Sequence, residues 1–203
     1  MAKIGAVNDV GESIVALLRS RRDLLESAGQ LAPVSASLDI TQLSVSALSG
    51  GTTPTSGLSL TCYQINHSDQ PKNQHRLPGE PVRPEIAVEL QYILASWSSR
   101  TEDEHASIAW AMLELNSHSV LDRSTLRGAG IWKPEETVQI VPSNLSADEQ
   151  YRLWDATGQK FRLSLTFTAR VIRLRHGLGD EFAPVVASRF GFSDSDPLQR
   201  EPV

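Results

Sequence analysis

Four side chains in one short segment carry the most catalytic-looking chemistry of the chain: Asp103, Glu104, His105 and His118. A carboxylate beside a neutral imidazole is the raw material of an acid/base pair, and two histidines with acidic neighbours are the raw material of a zinc site. The spacing works against both. His105 and His118 lie thirteen residues apart, which on one helix sets them roughly 220° apart, on nearly opposite faces. A chelating pair of histidines on a helix needs i, i+4 spacing, and these two histidines lack it.

Glu104 has a plainer role. Thr101-Glu-Asp-Glu104 reads as a capping box, in which the threonine oxygen accepts from a first-turn amide and the glutamate returns the bond to the cap residue. The acidic first turn also suits the positive end of the helix dipole. His105 falls at helical spacing with Ile108, Met112 and Leu115, the stripe expected to face a sheet, so it reads as a hydrogen-bonded structural histidine. On this reading the chain has no catalytic residue, no metal ligand and no cofactor. The rival is a hydrolase or metal-dependent enzyme built on Glu104 and His105 with His118.

Cys62 is the single cysteine, so no internal disulfide is available, which fits a reducing cytoplasm. It falls within a strand pattern and reads as a small buried hydrophobe. Phosphate-loop, dinucleotide, nucleophile-elbow and Cys-x-x-Cys motifs are all missing from the sequence. With a net charge of −5 there is no broad basic field for nucleic acid. Neither an apolar run of about 20 residues nor a signal-peptide core is found, which points away from a membrane and toward the cytoplasm.

The elements that must position these residues follow from periodicity. Residues 86–97 alternate as a strand and run straight into the helix that carries Glu104 and His105, ending near Val120-Leu121. Upstream, Val10, Ile14, Leu17, Leu18, Leu24 and Leu25 mark an amphipathic helix that opens at a cap on Asp9 and closes at Ala28-Gly29. The other side of that helix carries Arg19, Arg21 and Arg22, a solvated face or a face for an acidic partner. Residues 38–45 read as a first strand, 58–65 as a second and 137–141 as a short one. Ser146-Ala-Asp-Glu149 makes another capping box, for a helix with Tyr151, Leu153 and Trp154 that stops near Gly158. Last comes the clearest strand, with Phe161, Leu163, Leu165, Phe167, Ala169 and Val171 on its buried face. Trp97 and Trp154 sit in core-forming patterns.

At 203 residues and 40% hydrophobic, the chain supports one sizeable core. The expected fold is a single α+β domain over residues 1–176, a mixed and largely antiparallel sheet covered by amphipathic helices, with an irregular tail over 177–203. Two segments lack periodicity. The proline-rich stretch 66–84 holds Lys72, Asn73, His75, Arg76 and Arg83, and is either a surface loop or a binding arm. The tail keeps Phe182, Phe190 and Phe192 among Gly, Ser, Asp and Pro, and is either a segment that docks onto its own domain or a neighbour, or a disordered one.

Four blocks in order then carry a resemblance: the first helix with Leu17-Leu18-Arg19; Leu58-Ser-Leu60-Thr-Cys-Tyr63 followed by Lys72-Asn73; Leu90-Gln-Tyr92-Ile-Leu94 leading through Glu104-His105 to His118-Ser-Val120-Leu121; and Leu145-Ser-x-x-Glu149 with Leu153-Trp154, then Phe161-Arg-Leu163-Ser164-Leu165. Together, over residues 7–174, they are similar to the N-terminal domains of cap proteins from phage-tail-like contractile injection systems, among them the Photorhabdus virulence cassette and antifeeding prophage particles. Two departures, Ser68 and the prolines before Arg83, fall in the loop. The resemblance implies a tail-terminator-like fold and a structural role. The implied protein forms a ring, hexameric in this family, that closes the distal end of the inner tube and holds the last sheath ring, so the implied partners are other copies of the chain, the tube protein and the sheath protein. A closed ring requires two different complementary patches on each subunit. Lys72, Asn73, His75, Arg76, Arg83, Phe182, Phe190 and Phe192 are the candidate contacts. The remaining alternative is a monomeric cytoplasmic adaptor.

Overall fold

The computed structural model describes residues 2–30, 34, 38–51, 54, 56–69, 85–128, 132–133 and 135–175. Six strands form one sheet in the order β1-β2-β3-β6-β5-β4: β1 (Ile40–Gln42), β2 (Leu58–His67), β3 (Glu85–Ser96), β4 (Val120–Leu121), β5 (Val138–Pro142) and β6 (Ser164–Arg175). Only β1 and β2 run parallel; the other pairs are antiparallel. The expected α+β architecture with a mixed, largely antiparallel sheet is therefore the one the chain adopts.

Helices cover the two sheet faces unequally. On one face, α1 (Ala6–Ser27) and α3 (Thr101–Ser117) pack Val10, Ile14, Leu18, Ile108, Ala111 and Leu115 against Leu60, Leu90, Tyr92, Phe167 and Ala169 in the main core. Tyr92 and Phe167 stack there, with ring centroids 5.6 Å apart. On the other face, α2 (Val45–Ser49) and α4 (Ala147–Ala156) cover a smaller cluster of Leu48, Ile93, Ala95, Trp97 and Trp154. Trp97 and Trp154 are core residues, as their patterns predict; Trp110 and Trp132 are buried as well.

Several boundaries differ from the sequence expectation, each for a local reason. The first helix starts at Ala6, not at a cap on Asp9: Gly5 is its N-cap, and Asp9 is an acidic first-turn residue. Its end agrees, since Gly29 adopts a φ of 67° just past the last turn. No capping box forms at Thr101. Thr101 is already the first helical residue, Arg100 is the N-cap without a side-chain bond, and Glu104 contributes only as part of the acidic first turn. The predicted box at Ser146 and Glu149 does form, with Glu149 Oε2 accepting from the Ser146 amide at 2.8 Å. The hydrogen bonds of that box hold the Glu149 carboxyl below the usual glutamate range.

Three strand assignments also shift. Val45 does not extend the first strand, because Ser44 caps a new short helix by accepting from the Ala47 amide at 3.0 Å. The helix carrying His105 stops at Ser117, and Val120 and Leu121 pair with Gln139 and Val138 instead of completing another turn. Along β6 the buried set predicted by simple alternation breaks. Phe161 precedes the strand and is 45% exposed, and beyond Ala169 it is Ile172 that is buried, not Val171. The cause is a bulge. Val88 pairs with Ile172 and Leu90 with Ala169, so two residues of β6 stand opposite one of β3, and the side-chain phase flips there. Among the described residues no helix is long and apolar enough to cross a membrane.

Candidate assembly surface

α3 turns its buried side, formed by Ser107, Ile108, Trp110, Ala111, Glu114 and Leu115, toward the sheet and α1. His105 and Met112 lie about 100° or more from the middle of that side, and both are exposed. The expectation of a structural, hydrogen-bonded His105 is therefore wrong: the buried stripe passes through Ala111 and Glu114, where sequence periodicity drew it through Met112. Among the described residues no group of three or more His, Cys, Asp or Glu side chains is arranged to hold a metal.

The acidic residue that sequence reasoning missed is Glu114. Its side chain is 10% exposed, and Arg21 Nε donates to its Oε2 at 2.8 Å. His118 caps the helix, its Nδ1 lying 3.0 Å from the Glu114 carbonyl oxygen and 3.5 Å from Oε2. The i, i+4 spacing of Glu114 and His118 was the available signal. The arrangement ties α1 to the end of α3, so it positions helices and does not form a reaction centre. The other α1 arginines are also occupied within the chain. Arg19 Nε donates to the Ile40 carbonyl at 2.8 Å, and Arg22 reaches the Leu38 carbonyl and Asp23.

This cluster yields a test. Removing one partner of a buried ion pair costs about 3–5 kcal/mol, and partial exposure of Arg21 roughly halves that through solvent screening. Arg21→Met is expected to lower unfolding free energy by about 2 kcal/mol, and Arg21→Met with Glu114→Leu to recover most of the loss. Urea denaturation of the three proteins checks it; a silent single variant would mean that the carboxylate is solvated.

The potential nucleophile is quiet. Cys62 is half-buried, and burial pushes its thiol up, away from the reactive thiolate. Burial likewise pushes the Tyr92 hydroxyl up. At the surface, Ser124 and Thr125 hydrogen bonds hold the exposed Asp122 carboxyl below the usual aspartate range, as they would in any tight turn.

What the surface does offer is apolar contact. Met112, Leu113 and Val120 are exposed by 50%, 68% and 52%. The first two rim a cavity of about 250 Å³ floored by Leu115, Ile140, Leu165 and Phe167. Tyr151 of α4 and Phe161, also exposed, meet with ring centroids 4.7 Å apart and planes tilted by 32°. Large exposed apolar side chains gathered around a groove mark contact sites more often than chance exposure does. The candidate contacts Lys72, Asn73, His75, Arg76, Arg83, Phe182, Phe190 and Phe192 lie outside the described residues.

A groove and exposed aromatics are surface of the kind that meets other proteins, and relatives give that surface its context. The family model of the Pvc16 N-terminal domain matches residues 9–188. The chain belongs to this family. The Pvc16 N-terminal fold recurs in two solved structures. One is the sheath/tube terminator of an extracellular contractile injection system, PVC, in its extended state, with a TM-score of 0.54 and 16% identity over 94% of this chain and 64% of that one. The other is the cap of the anti-feeding prophage, which terminates its tube, with a TM-score of 0.50 and 13% identity over 84% of this chain and 60% of that one. The chain thus spans less than two thirds of either relative. No curated protein matches it.

Proposed function

We propose that this chain is a structural subunit of a contractile injection system. It caps the end of the inner tube and sheath distal to the baseplate and terminates their growth. The observation that carries this is the Pvc16 N-terminal match across residues 9–188, supported by a fold shared with a sheath/tube terminator and a tube-terminating cap. In this reading the subunits form a closed homomeric ring, with six copies as the expected number, assembled in the cytoplasm on a finished tube. A ring subunit makes two heterologous contacts, each of standard size at about 1,600 Å² in total. The groove beside α3 and the Tyr151–Phe161 pair are two distinct apolar patches of the kind such contacts need. Lys72, Asn73, His75, Arg76 and Arg83 are assigned to contacts with tube or sheath, and the tail phenylalanines to contacts within or between subunits.

Native mass spectrometry combined with negative-stain imaging tests the proposal. The expected result is ring particles, alone or on addition of tube, and decoration of tube or sheath ends. A protein that stays a single subunit at all concentrations and never appears at tube ends would defeat it.

A further inference from the structure

The sheet is left open along most of β2. β1 pairs only with Leu58, Ser59 and Leu60, and once the Leu43 amide has donated to the Leu60 carbonyl the chain turns away into α2. Among the described residues no strand lies against the outer side of β2 from Thr61 to His67. The Ser68 amide donates inward to the Ala87 carbonyl, so alternation along the antiparallel ladder turns the amides and carbonyls of Ile65 and His67 outward. We propose that this edge binds an extended peptide segment of another protein, which adds a strand beside β2 and seats an apolar side chain between α2 and α4.

Backbone, pocket and face each select that chemistry. A row of outward amides and carbonyls is matched by the backbone of an extended segment, with pockets for its side chains setting the choice of sequence. Just past the end of β1 lies a cavity of about 180 Å³, lined by Val45 and Leu48 of α2, Thr61 and Tyr63 of β2, and Leu153 and Trp154 of α4. An apolar cavity of about 150 Å³ already admits benzene, so this one takes a leucine or phenylalanine side chain. Thr61 in its lining is 2% exposed, and its hydroxyl has no hydrogen-bond partner among the described residues. Buried polar groups are nearly always paired, and an entering strand brings amides and carbonyls within reach of this one. The opposite face agrees. Ile65 pairs with Leu90 of the main core and so lies on that face, yet it is 52% exposed. Successive side chains of a strand point to opposite faces, so the recognised peptide carries two apolar residues an odd number of positions apart, one for the pocket and one for Ile65. This binding edge is independent of the cap function proposed above.

A displayed library of random linear peptides, panned on the full chain, is the probe. Enriched peptides are expected to carry the odd-spaced apolar pair and to lose about tenfold in affinity against His67→Pro, which removes an outward amide, and against Val45→Glu, which sets a charge at the pocket. Both positions are exposed, so neither change disturbs the core. Leu113→Glu, on the exposed side of α3, should bind as the unaltered chain does. Methylating alternate backbone nitrogens of a selected peptide should cost about tenfold, and methylating the intervening ones little. Amide exchange supplies the second measurement: without peptide, Ile65 and His67 should exchange about tenfold faster than Ser68, and peptide should slow them. Failure to enrich any peptide, or peptides indifferent to His67→Pro and to methylation, overturns the proposal. So does protection of the Ile65 and His67 amides before peptide is added, since the chain would then cover its own edge.

Discussion

Trp154→Ala is expected to lower the unfolding free energy by about 3–5 kcal/mol, the usual cost of deleting a buried aromatic. Trp154 is 2% exposed and, with Trp97, is one of the two largest side chains in the cluster between α4 and the sheet. It meets Trp97 edge to face with centroids 6.4 Å apart, and Trp97 is fixed in turn by an indole hydrogen bond to Ser59 Oγ at 2.7 Å and by the Arg162 guanidinium 4.9 Å above its ring. Few other apolar side chains share that layer, so the cavity cannot collapse onto neighbours and both the transfer and the cavity costs are felt. For a domain of this length the melting temperature should fall by roughly 10 °C. Tyr151→Ala, on the same helix but 59% exposed, should change stability by no more than about 0.5 kcal/mol. Calorimetry of the pair decides the matter: a loss below about 1 kcal/mol for Trp154→Ala would show that α4 is not held by this cluster.

Gly57→Ala should be comparably damaging for an unrelated reason. Gly57 has a φ of 117°, and a Cβ placed on it would lie 2.2 Å from the Asp39 carbonyl oxygen and 2.9 Å from the Asp39 carbonyl carbon. Both obstacles are backbone, so no side chain can swing away. The same carbonyl accepts from the Leu58 amide at 2.7 Å, and the Gly57 carbonyl accepts from the Trp97 amide at 2.9 Å. The approach to β1, the start of β2 and the end of β3 therefore meet at this residue. An unfavourable φ costs about 1–3 kcal/mol and overpacking about as much again, for a combined loss of about 4 kcal/mol. Gly51→Ala is the matched control: its φ is 77°, but nothing lies within 4 Å of its Cβ. It should show the strain without the collision. Equal losses for the two variants in urea unfolding would remove the packing half of the explanation.

Strong periodicity made the long elements legible. β2 and β3 lie where the pattern puts them, although the register of β2 shifts between Cys62 and Gln64, and the Ser146–Glu149 box marks the start of α4 because its two bonds need only residues three apart. Failures came where tertiary contacts outvoted local signals. Thr101 looks like a cap, yet the chain enters α3 one residue earlier through Arg100, which leaves the threonine inside the first turn. Val120 and Leu121 look helical after Leu115, but their backbone finds β5 instead. The phase flip at Val171 follows from a bulge, which depends on how β3 and β6 pair and has no signature within one strand. As for the site, the sequence drew attention to His105, which faces solvent, and passed over Glu114, whose burial depends on Arg21 arriving from a helix 93 residues away. The apolar groove was equally invisible, since α3, β5 and β6 come together there only after folding.

The brevity of the outermost strands decides where the sheet takes on more chain. β1 contributes three residues and β4 two, and β1 pairs only with Leu58 to Leu60 at the start of β2, so no described strand pairs with the outer side of β2 from Thr61 to His67. That stretch is a template for a strand from another chain. In a subunit that ends a tube, as proposed above, such an edge has to be covered in the finished particle, or it becomes a starting point for growth by strand addition.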